Sequence, residues 1–218
     1  MNRRIIFIFI LSISLLPLSA QTPIQTEPRD TIFRSVAVWA NLVGFGKLAF
    51  SDYGEYEAGV RVSIKDVFYP TVEVGVGKAD HDDDVTGIHY DCSAPYFKIG
   101  CDYNMLKNKH DDCKVFAGIR YAFTSFKANI SRPGLIDPAW GGTCDYKIDG
   151  TKCTQHWAEV VGGLDAKVWG PLHLGWTVRY LQRLAFSVDE IGNVWYVPGF
   201  GKSDTTGWNA TFNITLQL

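Results

Sequence analysis

Beyond residue 20, this 218-residue chain has no apolar run long enough for a membrane-spanning helix, no amphipathic helical stretch and no basic stripe. The first absence leaves strands as the only way to cross a bilayer. The second argues against helical layers. The third removes the electrostatic footprint of nucleic-acid binding. No cysteine opens the chain after residue 20, so no lipid-anchored product is indicated. No cluster of His, Cys, Asp or Glu has a spacing that specifies a metal, and no motif implies a cofactor.

What is present begins with "MNRRIIFIFILSISLLPLSA", two arginines followed by a short apolar run and a small-residue end. This is the pattern of a secretory signal peptide over residues 1–20, cleaved after Ala20. Losing Arg3 and Arg4 with it leaves 19 basic and 23 acidic residues, a net charge of −4. Residues 21–31, polar with two prolines, read as a flexible leader. Residues 32–218 read as one β domain.

That domain contains eight alternating segments, near 35–48, 55–65, 70–79, 94–105, 114–126, 155–168, 172–186 and 206–218. In "PYFKIGCDYNM", for example, Phe97, Ile99, Cys101, Tyr103 and Met105 share one parity while Lys98, Gly100 and Asp102 share the other. Period-two alternation specifies a strand with one apolar and one polar face, not which face is inside. Connections are short at 66–69, 106–113 and 169–172, and long at 79–93, about 129–154 and about 187–205. Short and long turns gathered at opposite ends are the pattern of outer-membrane barrels.

The polar parity discriminates further. It collects Gly59, Gly75, Gly77, Gly100, Gly118, Gly163 and Gly175 together with Glu57, Arg61, Glu73, Lys98, Asp102, Arg120, Glu159, Asp165, Lys167, Arg179 and Arg183. A solvent-washed face has no packing reason to gather glycines. A narrow interior does, since small residues admit long charged ones from neighbouring strands. The near-cancelling charges suit an interior where every ion needs a partner. The expected fold is therefore all-β: an eight-stranded, up-and-down antiparallel transmembrane β-barrel with a filled polar interior. A secreted soluble barrel with the apolar face inside, binding an apolar ligand, is the alternative. Phe68, Tyr69, Tyr103 and Trp169 would form an aromatic belt at the short-turn end, and Phe126, Trp157, Trp195, Tyr196 and Trp208 one at the long-loop end.

The stretches "YFKIGCDYNM" (96–105), "VFAGIRYAFTSF" (115–126), "HWAEVVGGLDAKV" (156–168), "LHLGWTVRYLQRL" (172–184) and "WYVPGF" (195–200) resemble a family of uncharacterised outer-membrane β-barrel proteins from Bacteroidales, a domain-of-unknown-function family. The closing strand "GWNATFNITLQL" fits, although it ends in Leu218 where such barrels commonly carry an aromatic. The resemblance implies an outer-membrane barrel and brings no activity or site residues.

Five cysteines remain in an extracytoplasmic setting where disulfides are an option. Cys144 with Cys153 as a loop staple, and Cys101 with Cys113 as a hairpin bridge, are the candidates; free thiols are the alternative. "HDDD" (81–84) with His89 and Asp91 could gather a divalent cation or be a solvated acidic loop. His156, Ser125 and Glu159 are the residues a rim-site lipid-modifying enzyme would use, but His156 and Glu159 lie on opposite parities. The expected function is a small monomeric outer-membrane protein with a structural or surface-interaction role through its long loops. It would not be an open pore. Outer-membrane lipid and a surface ligand or protein would be its partners.

Overall fold

The computed structural model describes residues 32–109, 112–136, 139, 141–189 and 194–218. Residues 1–31, read above as a signal peptide and leader, lie outside the described residues. Eight strands form a closed antiparallel ring: β1 (Phe33–Asn41), β2 (Tyr53–Ile64), β3 (Phe68–Asp83), β4 (Ile88–Asn104), β5 (Cys113–Ile136), β6 (Thr143–Trp169), β7 (Leu172–Val188) and β10 (Thr206–Gln217). Neighbours in sequence are neighbours in the ring, and β10 closes it by pairing with both β7 and β1. No helix among the described residues is long and apolar enough to cross a membrane.

The alternation sets the register. Val74 stands opposite Phe97 and Glu73 opposite Lys98, so apolar meets apolar on one face and opposite charges meet on the other. A slip of one residue would exchange the two faces everywhere. Short turns hold this register at one end. Lys65 and Asp66, both at φ 54°, make the tight β2–β3 turn, and Gly170 at φ 53° supplies the bend between β6 and β7.

The first alternating segment is not one strand. Asn41 ends β1, and its Oδ1 accepts hydrogen bonds from the Val43 and Gly44 amides at 3.0 and 3.4 Å. This N-cap starts α1 (Leu42–Phe50), a helix the alternation does not reveal. It runs beside β2 and β10, where β1 no longer separates them.

Two of the long connections are also strand. The β3–β4 ladder continues to Asp83 opposite Ile88, and β5 pairs β6 as far as Ile136 opposite Thr143. Alternation fades in these extensions because polar residues occupy both parities. The connection after β7 behaves differently. A hairpin of β8 (Tyr196–Val197) and β9 (Gly201–Lys202) folds into the long-loop end of the ring. Val194, Tyr196, Val197 and Phe200 are buried there against Tyr90, Tyr96, Phe126, Trp157 and Leu181.

Two expectations about aromatics and cysteines are corrected. Phe126, Trp157 and Tyr196 are core residues rather than members of an outer belt, and Tyr69 is buried at the other end. Trp195 packs edge-on to Tyr53 inside that region, whereas Trp208, Trp169, Phe68 and Tyr103 are exposed. Cys92, Cys101, Cys113 and Cys153 are thiols, not disulfides. The β4–β5 register places Cys101 opposite Ile119 and Tyr103 opposite Ala117, while Cys113 faces Ala166 on β6. Cys101 and Cys113 are thus offset by about 20 Å along the ladder. Cys144 and Cys153 sit on the same extended strand, opposite Leu135 and Phe126. Nine residues of strand separate them by about 30 Å, beyond any disulfide.

Candidate functional site

The polar parity does face inward, and it converges on one ion-paired network. Arg179 of β7 is its hub: Nη2 lies 2.8 Å from Glu57 Oε1, and Nη1 lies 3.1 Å from Glu73 Oε2 and 3.5 Å from Glu159 Oε2. Lys98 Nζ bridges Glu57 at 2.8 Å and Glu159 at 3.0 Å. Arg120 donates from Nε to Glu73 at 2.9 Å and from both terminal nitrogens to Asp102, at 2.6 and 2.9 Å. Arg61 continues the chain to Asp102 at 3.5 Å and Asp165 at 3.4 Å, and His173 stands 3.3 Å from Asp165. Trp157 Nε1 and the Tyr96 hydroxyl add hydrogen bonds to Glu159 and Glu57 at 2.8 and 3.0 Å.

Nine of the eleven expected residues therefore share one cluster, with the carboxylates and cations alternating along it. Lys167 and Arg183 do not join. Lys167 pairs with Asp112 at 3.2 Å on the exposed short-turn rim. Arg183 sits where the β6–β7 register shifts, His156 facing Ala185 but Trp157 facing Arg183. The extra residue ends the inward parity, and Arg183 bonds Thr205 at 3.5 Å and lies over the Phe186 ring. Strand ends and bulges are where parity arguments fail.

Glycines admit this crowd. A Cβ on Gly59 would lie 2.6 Å from the buried Trp39 ring, and one on Gly77 would lie 2.7 Å from Pro198 Cα in the plugging hairpin. The hairpin is anchored by Tyr90 donating to the Tyr196 carbonyl at 2.7 Å and Tyr196 donating to the Gly54 carbonyl at 3.3 Å. His81 stacks on Trp195 with centroids 4.2 Å apart and holds Asp52 at 2.9 Å. The interior thus has two closures in series, an ionic layer and an aromatic plug. Two parts of it escape sequence reasoning. Glu55, bonded by Asn209 at 2.9 Å, lies near the start of β2. "WYVPGF" is so apolar for a connecting segment that it signals burial.

The remaining candidates disperse. Alternation splits "HDDD": His89 bonds Asp82 at 2.7 Å, and Asp83 caps the β3–β4 turn through Val85 N at 2.9 Å and Thr86 Oγ1 at 2.8 Å. Those bonds, the Val85 amide first, hold the Asp83 carboxyl below the usual range. Among the described residues, no three His, Cys, Asp or Glu side chains are placed to hold a metal ion. His156 is bonded to the Tyr121 hydroxyl at 2.6 Å on the outer face, while Glu159 is committed to Lys98 and Trp157 inside. No triad forms with Ser125.

A family model described as a domain of unknown function, DUF6048, matches residues 2–218. The chain belongs to that family. No curated protein and no solved structure matches it. Membership supplies no activity, so this DUF6048 chain has to be read from its geometry.

Proposed function

We propose that this DUF6048 protein is a small, monomeric outer-membrane β-barrel of the kind its Bacteroidales-like sequence features suggest. It seals its own interior and presents its extended hairpins for structural or surface contacts with a ligand or protein. The observation that carries this reading is the outer face. All eight strands of the ring expose large apolar side chains, among them Val38, Val60, Val74, Ile99, Ile119, Val160, Val178 and Leu216. An apolar belt around the entire ring far exceeds what soluble monomers expose. On β5 the outward residues run from Cys113 to Phe123 before Ser125 and Lys127 follow. Ten residue steps advance about 33 Å along a strand, which a tilt of about 40° reduces to about 25 Å of height. That is the height of the apolar band in outer-membrane barrels.

The interior supports a closed barrel over a pore. A selective conduit would be lined for one ion type, whereas this lumen pairs cations with carboxylates and carries an aromatic plug above them. Beyond the band, β5 and β6 continue as a polar hairpin with Tyr146 and Lys147 exposed, a surface suited to contact rather than conduction. The test is fractionation of cells expressing the full chain. The protein is expected in the outer membrane and resistant to carbonate extraction; recovery as a soluble periplasmic species would overturn the reading.

A further inference from the structure

We infer that the short-turn mouth of the ring is a binding cup for an oxyanion, a phosphate group above all, held on Lys114. The cup has a volume of about 400 Å³ and lies beneath the ionic network, between the start of β1, the foot of β5 and the β6–β7 turn. Four Lys or Arg side chains line it (Arg34, Lys109, Lys114 and Lys167) against two aspartates, Asp66 and Asp112. Both aspartates are already engaged. Asp66 lies 2.6 Å from Arg34 and accepts from Ser63 at 2.7 Å, and Asp112 holds Lys167 at 3.2 Å. Leu218 adds the chain-end carboxylate to the lining, so four Lys or Arg groups face three anionic ones. Lys109 and Lys114 are the cations without a paired aspartate side chain.

Lys114 is the informative member. Only 8% of it is exposed, yet its ammonium makes one hydrogen bond among the described residues, to the neutral Gln217 Oε1 at 2.7 Å. The Tyr69 ring lies 5.5 Å from the nitrogen. The deeper carboxylate, Asp165, is shared between Arg61 and His173. An ammonium has three donors, and Lys114 uses one of them among the described residues, while Asp165, Asp66 and Asp112 act on it through space without a direct ion pair. Elsewhere in this lumen every buried cation of the network meets a carboxylate. Here the missing partner is replaced by open space large enough for a multi-oxygen anion. His173 also lines the cup, its Nδ1 turned to Asp165 at 3.3 Å. The inference rests on the cup alone and holds whether or not the outer face meets lipid.

Free phosphate and the phosphate of a lipid headgroup share this chemistry, and two arms of one experiment separate them. Inorganic phosphate is titrated calorimetrically into the refolded full chain in an uncharged detergent, and phosphatidylglycerol is titrated in mixed micelles in parallel. Saturable one-site binding is expected in at least one arm: of phosphate if the anion is free, of phosphatidylglycerol alone if it is a headgroup. Affinity should fall at least tenfold in Lys114→Met, be restored by Lys114→Arg, and be untouched by Lys47→Met at the opposite mouth. Binding in neither arm, or equal binding by Lys114→Met, would overturn the inference. Folding gives an independent readout. In phosphate-free buffer Lys114→Met should unfold at the same denaturant concentration as the parent or a higher one, because a buried charge without a direct ion pair is removed. A clearly lower midpoint would make Lys114 a structural partner of Gln217 and also overturn the inference.

Discussion

Arg179→Met should lower the unfolding free energy by about 3–5 kcal/mol, the usual consequence of removing one partner from a buried ion pair. The arginine side chain is 2% exposed and touches Glu57, Glu73 and Glu159 at once. Methionine fills much of the same volume, so the effect isolates charge. Lys98 and Arg120 remain, but each already serves two carboxylates. Glu57, Glu73 and Glu159 would then be left to two cations in the buried interior. Urea unfolding of the refolded protein measures the loss. The reference is Lys147→Met, which removes an exposed pair with Asp149 (side chains 66% and 59% exposed) and should change stability little. Equal, small effects at both positions would mean that water screens the interior.

Gly118→Leu is the second large effect, and it works through volume. A Cβ at this position would overlap Asp102 Oδ1 and lie 2.6 Å from the Cys101 carbonyl oxygen. Both contacts resist adjustment: one is backbone, and the other belongs to a fully buried carboxylate clamped by Arg120 and Arg61. Overpacking alone costs about 1–3 kcal/mol. Displacing Asp102 would add the loss of its charge-assisted bonds, each worth about 1.5–3 kcal/mol, so the chain is expected to refold poorly or not at all. Gly162→Leu, one strand away where a Cβ meets nothing within 4 Å, should refold normally. Refolding yield, read by the mobility difference between heated and unheated samples, compares the two. Equal yields would contradict an inward Gly118.

The central part of the ring is legible from sequence because a half-buried strand has only two faces. Once Val72, Val74 and Val76 share one parity, Glu73 and Gly75 must share the other. Glycine among charges then tells inside from outside, and Gly118 beside Asp102 shows the reason. Legibility ends where that two-face logic ends. Asn41 caps a helix through a side-chain hydrogen bond that leaves no periodic trace. The β5–β6 extension has polar residues on both parities, so it reads as a loop although it is paired to Ile136. Arg183 fails because one extra residue in β7 shifts the register at its level. Cys101 and Cys113 fail because the turn length between strands, not their shared parity, sets which residues meet. The plug is a different case: Val194, Tyr196, Val197 and Phe200 form a buried set, but only the ring around them supplies the surface they cover.

The central claim is that the apolar face meets hydrocarbon and the charged face is sealed within. Spin labels placed one at a time at Val115, Ala117, Ile119, Tyr121, Phe123 and Ser125 of the outward face of β5 test it directly. The native cysteines are replaced and the protein is reconstituted in phospholipid vesicles. If the account holds, collision with oxygen rises and collision with a water-soluble nickel reagent falls from both ends toward Ile119, whose side chain sits near the centre of the band. Uniformly high nickel accessibility along all six positions would place this face in water and contradict it.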